Sequence, residues 1–243
     1  RVNLPGREYD ILIGKNFLDH VGEILKERFS PSKIVIVTDD NVNALYGIRV
    51  QNSMERAGFC VKLISLPPGE QTKCLEQLSY LYSEALSFSI TRRDWIVALG
   101  GGVIGDLTGL MAATLLRGIP YIQIPTTLLA QVDSSVGGKV AIDVPQGKNL
   151  VGAFYQPKLV LMDTQALSTL SDRIFFDGMA EVIKYGLIAD RTLFDTLYNC
   201  CGRKELSEKM EEIVYTCCDI KRRIVEQDEH DTGLRMLLNF GHT

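Results

Sequence analysis

Apolar and polar positions along the first two thirds of the chain predict strands and helices in turn. "YDILIG" is a short apolar run. "NFLDHVGEILKERF" after it carries apolar residues three and four apart, which predicts an amphipathic helix. "KIVIVTDD" is apolar and then acidic, as a buried parallel strand feeding a loop would be. "VQNSMERAGF" predicts a helix ending at Gly58, "CVKLISL" a strand, "PPGEQTK" a turn-rich loop and "CLEQLSYLYSEALSF" a further helix. "DWIVALGGG" predicts a strand that runs into glycines. "DLTGLMAATLLRG" predicts a helix capped at its start by Asp106 and ended by Gly118, and "YIQIP" another buried strand. Residues 126–157 are less regular, and "KLVLMD" closes the sheet-like part. From about residue 165 strand signals vanish, and helices are expected near 172–188, 204–229 and 233–243. The expected fold is an α/β N-terminal domain, residues 1–165, with a mostly parallel, Rossmann-like sheet. An all-α C-terminal domain, residues 166–243, follows and is incomplete in this chain.

Composition narrows the class without changing that outline. The 243 residues are 46% hydrophobic and 23% charged, as in ordinary soluble proteins, and the net charge of −4 argues against nucleic acid or a membrane surface as the main partner. The six cysteines form no C-x-x-C pair, so structural thiols in a reducing compartment are expected. "RVNLPGREYDILIG" has no long apolar core of a secretory signal, and no apolar run reaches the roughly 18 residues that span a bilayer. A cytoplasmic enzyme or domain is the expectation.

"GGGVIG" satisfies G-x-G-x-x-G through Gly100, Gly102 and Gly105, after a strand and opening a helix. Glycines there let a phosphate approach backbone N–H groups at the positive end of the helix dipole. A tight strand-to-helix turn also needs glycine. The loop departs from the usual dinucleotide fingerprint: no acid lies between Asp106 and Asp133, and it follows a late strand. Pyrophosphate binding is expected there, with Asp39 and Glu70 as acceptors for ribose hydroxyls.

Three segments carry polar residues where packing would want none. In "RIFFDGMAEVIKYGL", Asp177, Glu181 and Lys184 fall at i, i+4 and i+7, although Glu181 with Lys184 also fits a surface ion pair. In "EEIVYTCCDIKRRIVEQ", Lys221 sits in the inward stripe of Ile213, Cys217, Ile220 and Ile224, where a lysine either snorkels out or meets an anion. "GLRMLLNFGHT" predicts a buried helix with Arg235, Asn239 and His242 on one face. Together they offer Glu181 and His242 to a metal and Lys184, Lys221 and Arg235 to an anionic substrate, though catalytic zinc usually takes three protein ligands. His20 and His230 lie in polar surroundings and are expected at the surface. "QVDSSVGGKVAIDVPQGKN" adds Asp133, Lys139, Lys148 and Asn149. That is loop composition, yet its glycine-flanked lysines suit phosphate or carboxylate.

The blocks "PGEQTK", "GGGVIGDLTG", "RGIPYIQIPTTLLAQVDSSVGGKVAID", "GKNLVGAFYQPKLVLMD", "GMAEVIKYGLI" and "LRMLLNFGHT" occur in the order found in 3-dehydroquinate synthases, and the chain resembles that family from near residue 2 to its end. The resemblance implies an NAD- and divalent-metal-dependent enzyme (Zn2+ or Co2+), usually a homodimer. It would convert a sugar phosphate, 3-deoxy-D-arabino-heptulosonate 7-phosphate, to 3-dehydroquinate and phosphate. It implies NAD contacts from Asp39; from Pro68, Gly69, Glu70, Gln71, Thr72 and Lys73; from Gly102, Val103, Ile104, Gly105 and Asp106; and from Thr126, Thr127, Lys139, Lys148, Ala166, Leu167, Ser168 and Thr169. It implies metal ligands Glu181 and His242, with a further histidine beyond Thr243. Substrate contacts are implied for Arg117, Asp133, Lys139, Asn149, Lys184, Lys221, Arg235 and Asn239. Two other expectations stay open: another sugar phosphate cyclase, such as a 2-deoxy-scyllo-inosose synthase, or an NAD-binding fragment without catalysis. A polyol dehydrogenase is disfavoured, because a simple alcohol has no phosphate for the "VGGK" and "GKN" loops to hold.

Overall fold

The computed structural model describes residues 1–30 and 32–241. Its strands are β1 (Asp10–Gly14), β2 (Lys33–Asp39), β3 (Cys60–Leu66), β4 (Trp95–Gly100), β5 (Tyr121–Pro125), β6 (Lys139–Val144), β7 (Gly147–Phe154) and β8 (Leu159–Asp163). All but β6 and β7 form one sheet in the order β1-β8-β5-β4-β2-β3, every pair parallel. These strands are short runs rich in Val, Ile and Leu, suited to burial on both faces. The helices are α1 (Val21–Lys26), α2 (Asp40–Val42), α3 (Ile48–Arg56), α4 (Leu75–Ser87), α5 (Gly102–Thr114), α6 (Asp172–Ile188), α7 (Arg191–Tyr198), α8 (Arg203–Glu208) and α9 (Met210–Gln227).

The two-residue period of the strands sorts these into layers. Ile34 and Ile36 of β2, with Val97 and Leu99 of β4, pack on α1 and α3. Val35 and Val37, with Ile96 and Ala98, face the other way onto α4 and α5. On that second side, at the β8 end, Val160 and Met162 meet Phe175, Met179 and Val182 of α6 and Ile213, Cys217 and Ile220 of α9. The N-terminal residues Val2, Leu4 and Tyr9 join the same cluster, so the first residues of the chain help seat the helical region.

The α/β outline matches the sequence expectation, and several element boundaries differ. The segment 16–29 is not one helix: a 3-10 turn (Phe17–Asp19) is followed by α1 of 6 residues, with His20 outside helical geometry at φ −118° between them. Asp106 does not cap α5. The helix begins at Gly102 after an extended Gly101, because the glycines themselves make the turn, and Asp106 falls inside it. Residues 126–157 hold a π-type turn (Ala130–Ser134) and the antiparallel β6–β7 hairpin; lysines, glycines and a turn had broken the alternation that would have announced it. The expected helix 204–229 is two, α8 and α9, parted at Lys209 (φ −97°, ψ 5°), and α7 was not foreseen. The last segment is a 3-10 helix, Leu234–Asn239, and not an α-helix. Its period of three puts Arg235 and Leu238 on the buried face and leaves Asn239 exposed. His242 and Thr243 lie outside the described residues.

Candidate active site

The sheet order reverses between β2 and β4: β2 leads outward to β3, while β4 leads to β5 on its other side. Loops leaving the carboxyl ends diverge at such a point and leave a crevice. A cleft of ≈ 490 Å³ occupies it, bounded by Asp39 and Tyr46 after β2, Pro67–Gly69 after β3, Gly101–Ile104 after β4, Thr126 and Thr127 after β5, and Thr169–Ser171 after β8. Its floor is the start of α5, where Gly101 supplies no side-chain cap, so the first N–H groups of the helix are open to a ligand. A Cβ on Gly101 would lie 3.1 Å from Thr127 Cγ2, and one on Gly102 3.1 Å from Ser134 Oγ, so side chains there would crowd the approach. The Thr126 hydroxyl, buried in the wall, has no hydrogen-bond partner among the described residues. Gly69 takes φ +112°, which its neighbours could adopt only with strain, and turns the "PGEQTK" loop over the crevice.

A second cleft of ≈ 600 Å³ begins one turn further along α5, at Asp106 and Ser134. Its lining includes Lys139, Asn149, Lys184, Lys221, Arg235 and Asn239, together with Asp133 and Asp231. Lys221 reaches from α9 to the Asp133 carboxylate and donates to the Asp133 carbonyl at 2.7 Å. Burial pushes the lysine pKa down against the pull of Asp133, while Lys221 holds the aspartate below its ordinary value despite the burial that opposes this. Lys184 pairs with Glu181 one turn earlier on α6 and donates to the Leu238 carbonyl at 2.5 Å. Arg235 is buried and held by carbonyls, Glu229 at 2.6 Å and Gly137 at 3.3 Å. Gly137 is required there, since a Cβ would come within 2.4 Å of Nη2. Lys139, on the hairpin, pairs with Asp231.

A buried Lys73 joins the "PGEQTK" loop to the second cleft. Its ammonium lies 3.2 Å from Glu70, 3.4 Å from Asp106 and 3.8 Å from Asp143, and donates to Asn149 at 2.7 Å. Burial works against the charge, but the three carboxylates outweigh it and raise the lysine pKa. For Asp106 burial wins, and its pKa is pushed up to about 6 despite Lys73.

The structure thus brings most of the sequence-selected residues to two adjoining clefts, with exceptions. Arg117 lies just before the amino end of β5, at the opposite end of the strands from the clefts, beside Arg92 and Arg93. The clefts are built at the carboxyl ends, and Arg117 lines neither of them. Lys148 is exposed and pairs with Glu70 at 3.5 Å, outside both linings. Ala166 and Leu167 are buried behind the crevice wall, and Gln71 and Ser168 face solvent. Glu181 is buried beside Lys184; His242 lies outside the described residues. Asp231 is a cleft residue that sequence reasoning missed; its φ of +59°, unusual for a residue other than glycine, is invisible in an acidic, polar stretch.

Among solved structures, a 2-epi-5-epi-valiolone synthase from Streptomyces hygroscopicus with NAD+ and Zn2+ bound superimposes with a TM-score of 0.87 at 27% identity, over 97% of this chain and 66% of that one. A 2-deoxy-scyllo-inosose synthase complexed with carbaglucose-6-phosphate, NAD+ and Co2+ gives a TM-score of 0.85 at 26% identity, over 96% of this chain and 64% of that one. The fold is therefore that of the sugar phosphate cyclases. The 3-dehydroquinate synthase N-terminal family pattern matches residues 63–177 and its C-terminal counterpart residues 178–243. A 3-dehydroquinate synthase of Clostridium beijerinckii is 54% identical over all of this chain and 69% of its own length. The chain belongs to the 3-dehydroquinate synthase family.

Proposed function

We propose that this protein converts 3-deoxy-D-arabino-heptulosonate 7-phosphate to 3-dehydroquinate and inorganic phosphate with NAD as a recycled cofactor. The observation that carries this reading is the junction of the two clefts. A glycine-floored crevice at a helix N-terminus opens, within one turn of α5, onto a cleft whose lining holds four cations, Lys139, Lys184, Lys221 and Arg235. The crevice fits a dinucleotide: open N–H groups, glycines that cannot be widened and an unpartnered Thr126 hydroxyl all favour a phosphate-bearing ligand. NAD bound there would accept a hydride from a carbinol carbon of the substrate and later return it.

The metal fit is partial. Glu181 is a buried carboxylate of the kind a divalent ion takes, His242 is the proposed partner, and no group of three His, Cys, Asp or Glu among the described residues is arranged to hold a metal ion by itself. Zn2+ or Co2+ is proposed from the resemblance and from the Co2+ and Zn2+ of the two cyclases. The chain's own cations account for substrate placement. The substrate carries a phosphate and a carboxylate, and the cleft offers more positive than negative side chains to hold them in one orientation. Arg235 and Lys221 are pre-positioned by Gly137, Glu229 and Asp133, so little ordering remains when the anion enters. Lys139 and Lys184 stand in the same lining as cations for those anionic groups, with Asn149 and Asn239 as neutral donors. A homodimer in the cytoplasm belongs to the same reading, resting on the resemblance; no helix among the described residues is long and apolar enough to cross a membrane.

A phosphate-release assay separates this reading from its neighbours. Release from the heptulosonate phosphate and none from glucose 6-phosphate is expected; the reverse would identify an inosose-type cyclase.

A further inference from the structure

Arg203 stands where a helix does not want it. It is the first residue of α8, at the positive end of the helix dipole, yet its side chain is only 25% exposed. The guanidinium sits over the Phe175 ring, 4.7 Å from the centroid. Its Nη2 donates to two carbonyls, Leu167 at 3.0 Å and Leu170 at 2.7 Å, and its Nη1 to Asp172 at 2.5 Å. Those acceptors bracket the segment after β8 that carries Thr169, Leu170 and Ser171, the outer wall of the glycine-floored crevice. The Leu170 N–H closes the 3-10 turn Thr164–Thr169 by donating to the Leu167 carbonyl, and the Leu170 carbonyl lies just past that helix end, where acceptors are left unfilled. The other side of the wall is tied by Tyr46, whose hydroxyl meets Thr169 Oγ1 at 2.7 Å and the Ala166 carbonyl at 3.2 Å. The wall is therefore hydrogen-bonded from both sides, by Tyr46 on one and by the Arg203 guanidinium of α8 on the other.

We propose that Arg203 is a positioning residue for nucleotide binding: it fixes the crevice wall through two backbone carbonyls while touching no ligand itself. The inference rests on the nucleotide reading of the crevice. Without the guanidinium, the segment 167–172 keeps its sequence but loses three bonds, and the ligand must order it on binding. Lysine keeps the charge but lacks the fork that spans both carbonyls and the carboxylate.

The test is NAD titration of the intact protein, unsubstituted and as Arg203→Met and Arg203→Lys, with inorganic phosphate titrated in parallel as a probe of the cationic cleft. The expected result is a roughly tenfold rise in the NAD dissociation constant for Arg203→Met, a smaller rise for Arg203→Lys, and an unchanged phosphate constant in both. NAD affinity equal to that of the unsubstituted protein overturns the inference. So does weakening of NAD and phosphate to the same extent, since that reports general loosening. Failure of the unsubstituted protein to bind NAD overturns the nucleotide reading itself and this inference with it.

Discussion

At the scale of single residues, charge placed against packing was the readable signal. Lys221 in an apolar stripe had to snorkel or meet an anion, and it meets Asp133. Asp106 carries a prediction of its own. An aspartate in the unfolded chain titrates near 4, whereas here burial pushes it up to about 6. Between those values the folded protein binds the proton and the unfolded chain does not. Stability from this group is present at low pH, falls as pH rises from about 4 to about 6, and is level above that. Asp106→Asn removes the dependence, so the variant should gain on the unsubstituted protein between pH 4.5 and pH 7.5, by at most about 3 kcal/mol. Denaturant unfolding at both pH values measures it, and a difference independent of pH would contradict the burial argument. Asp231 was not legible, because nothing in a run of acids and small residues says which one turns back on Lys139.

Elements were legible where one period ran long enough. The strands of the main sheet and helices α4 and α6 fall where apolar spacing puts them. The hairpin was hidden because β7 is exposed along nearly its whole length, so its residues alternate in no apolar pattern. The terminal 3-10 helix was misread because three residues at i, i+4 and i+7 describe an α-helix only if the helix forms; Gly233, at φ −162° and ψ −100°, starts a tighter turn instead. Contact between α5 and the hairpin is close enough to test. A Cβ on Gly109 would sit 2.3 Å from Val140 Cγ1, with the Tyr121 hydroxyl at 3.3 Å. Gly109→Ala should therefore destabilise by about 1–3 kcal/mol even against the helix propensity it gains. It should also weaken phosphate binding, because β6 begins with Lys139. Urea unfolding and a phosphate titration check both; unchanged stability would mean that β6 yields freely.

Across the whole molecule, the parallel sheet gathers five loops at one edge and the helical region closes a second cleft beside them. Gly102, Ser134 and Lys221 are far apart in the chain and meet only through the sheet order and the packing of α9 on the Ala130–Ser134 turn, so spacing along the chain could not give their contacts. The placement of Arg117 also required the fold, because a strand's two ends look alike in sequence. On the proposed reading, nucleotide crevice and anion cleft serve one reaction. The direct measurement is phosphate release from 3-deoxy-D-arabino-heptulosonate 7-phosphate by protein stripped of nucleotide, before and after NAD is restored. Release is expected only after NAD is added back, with NAD unconsumed at the end. Equal release without NAD, or one NAD spent per phosphate freed, would contradict it.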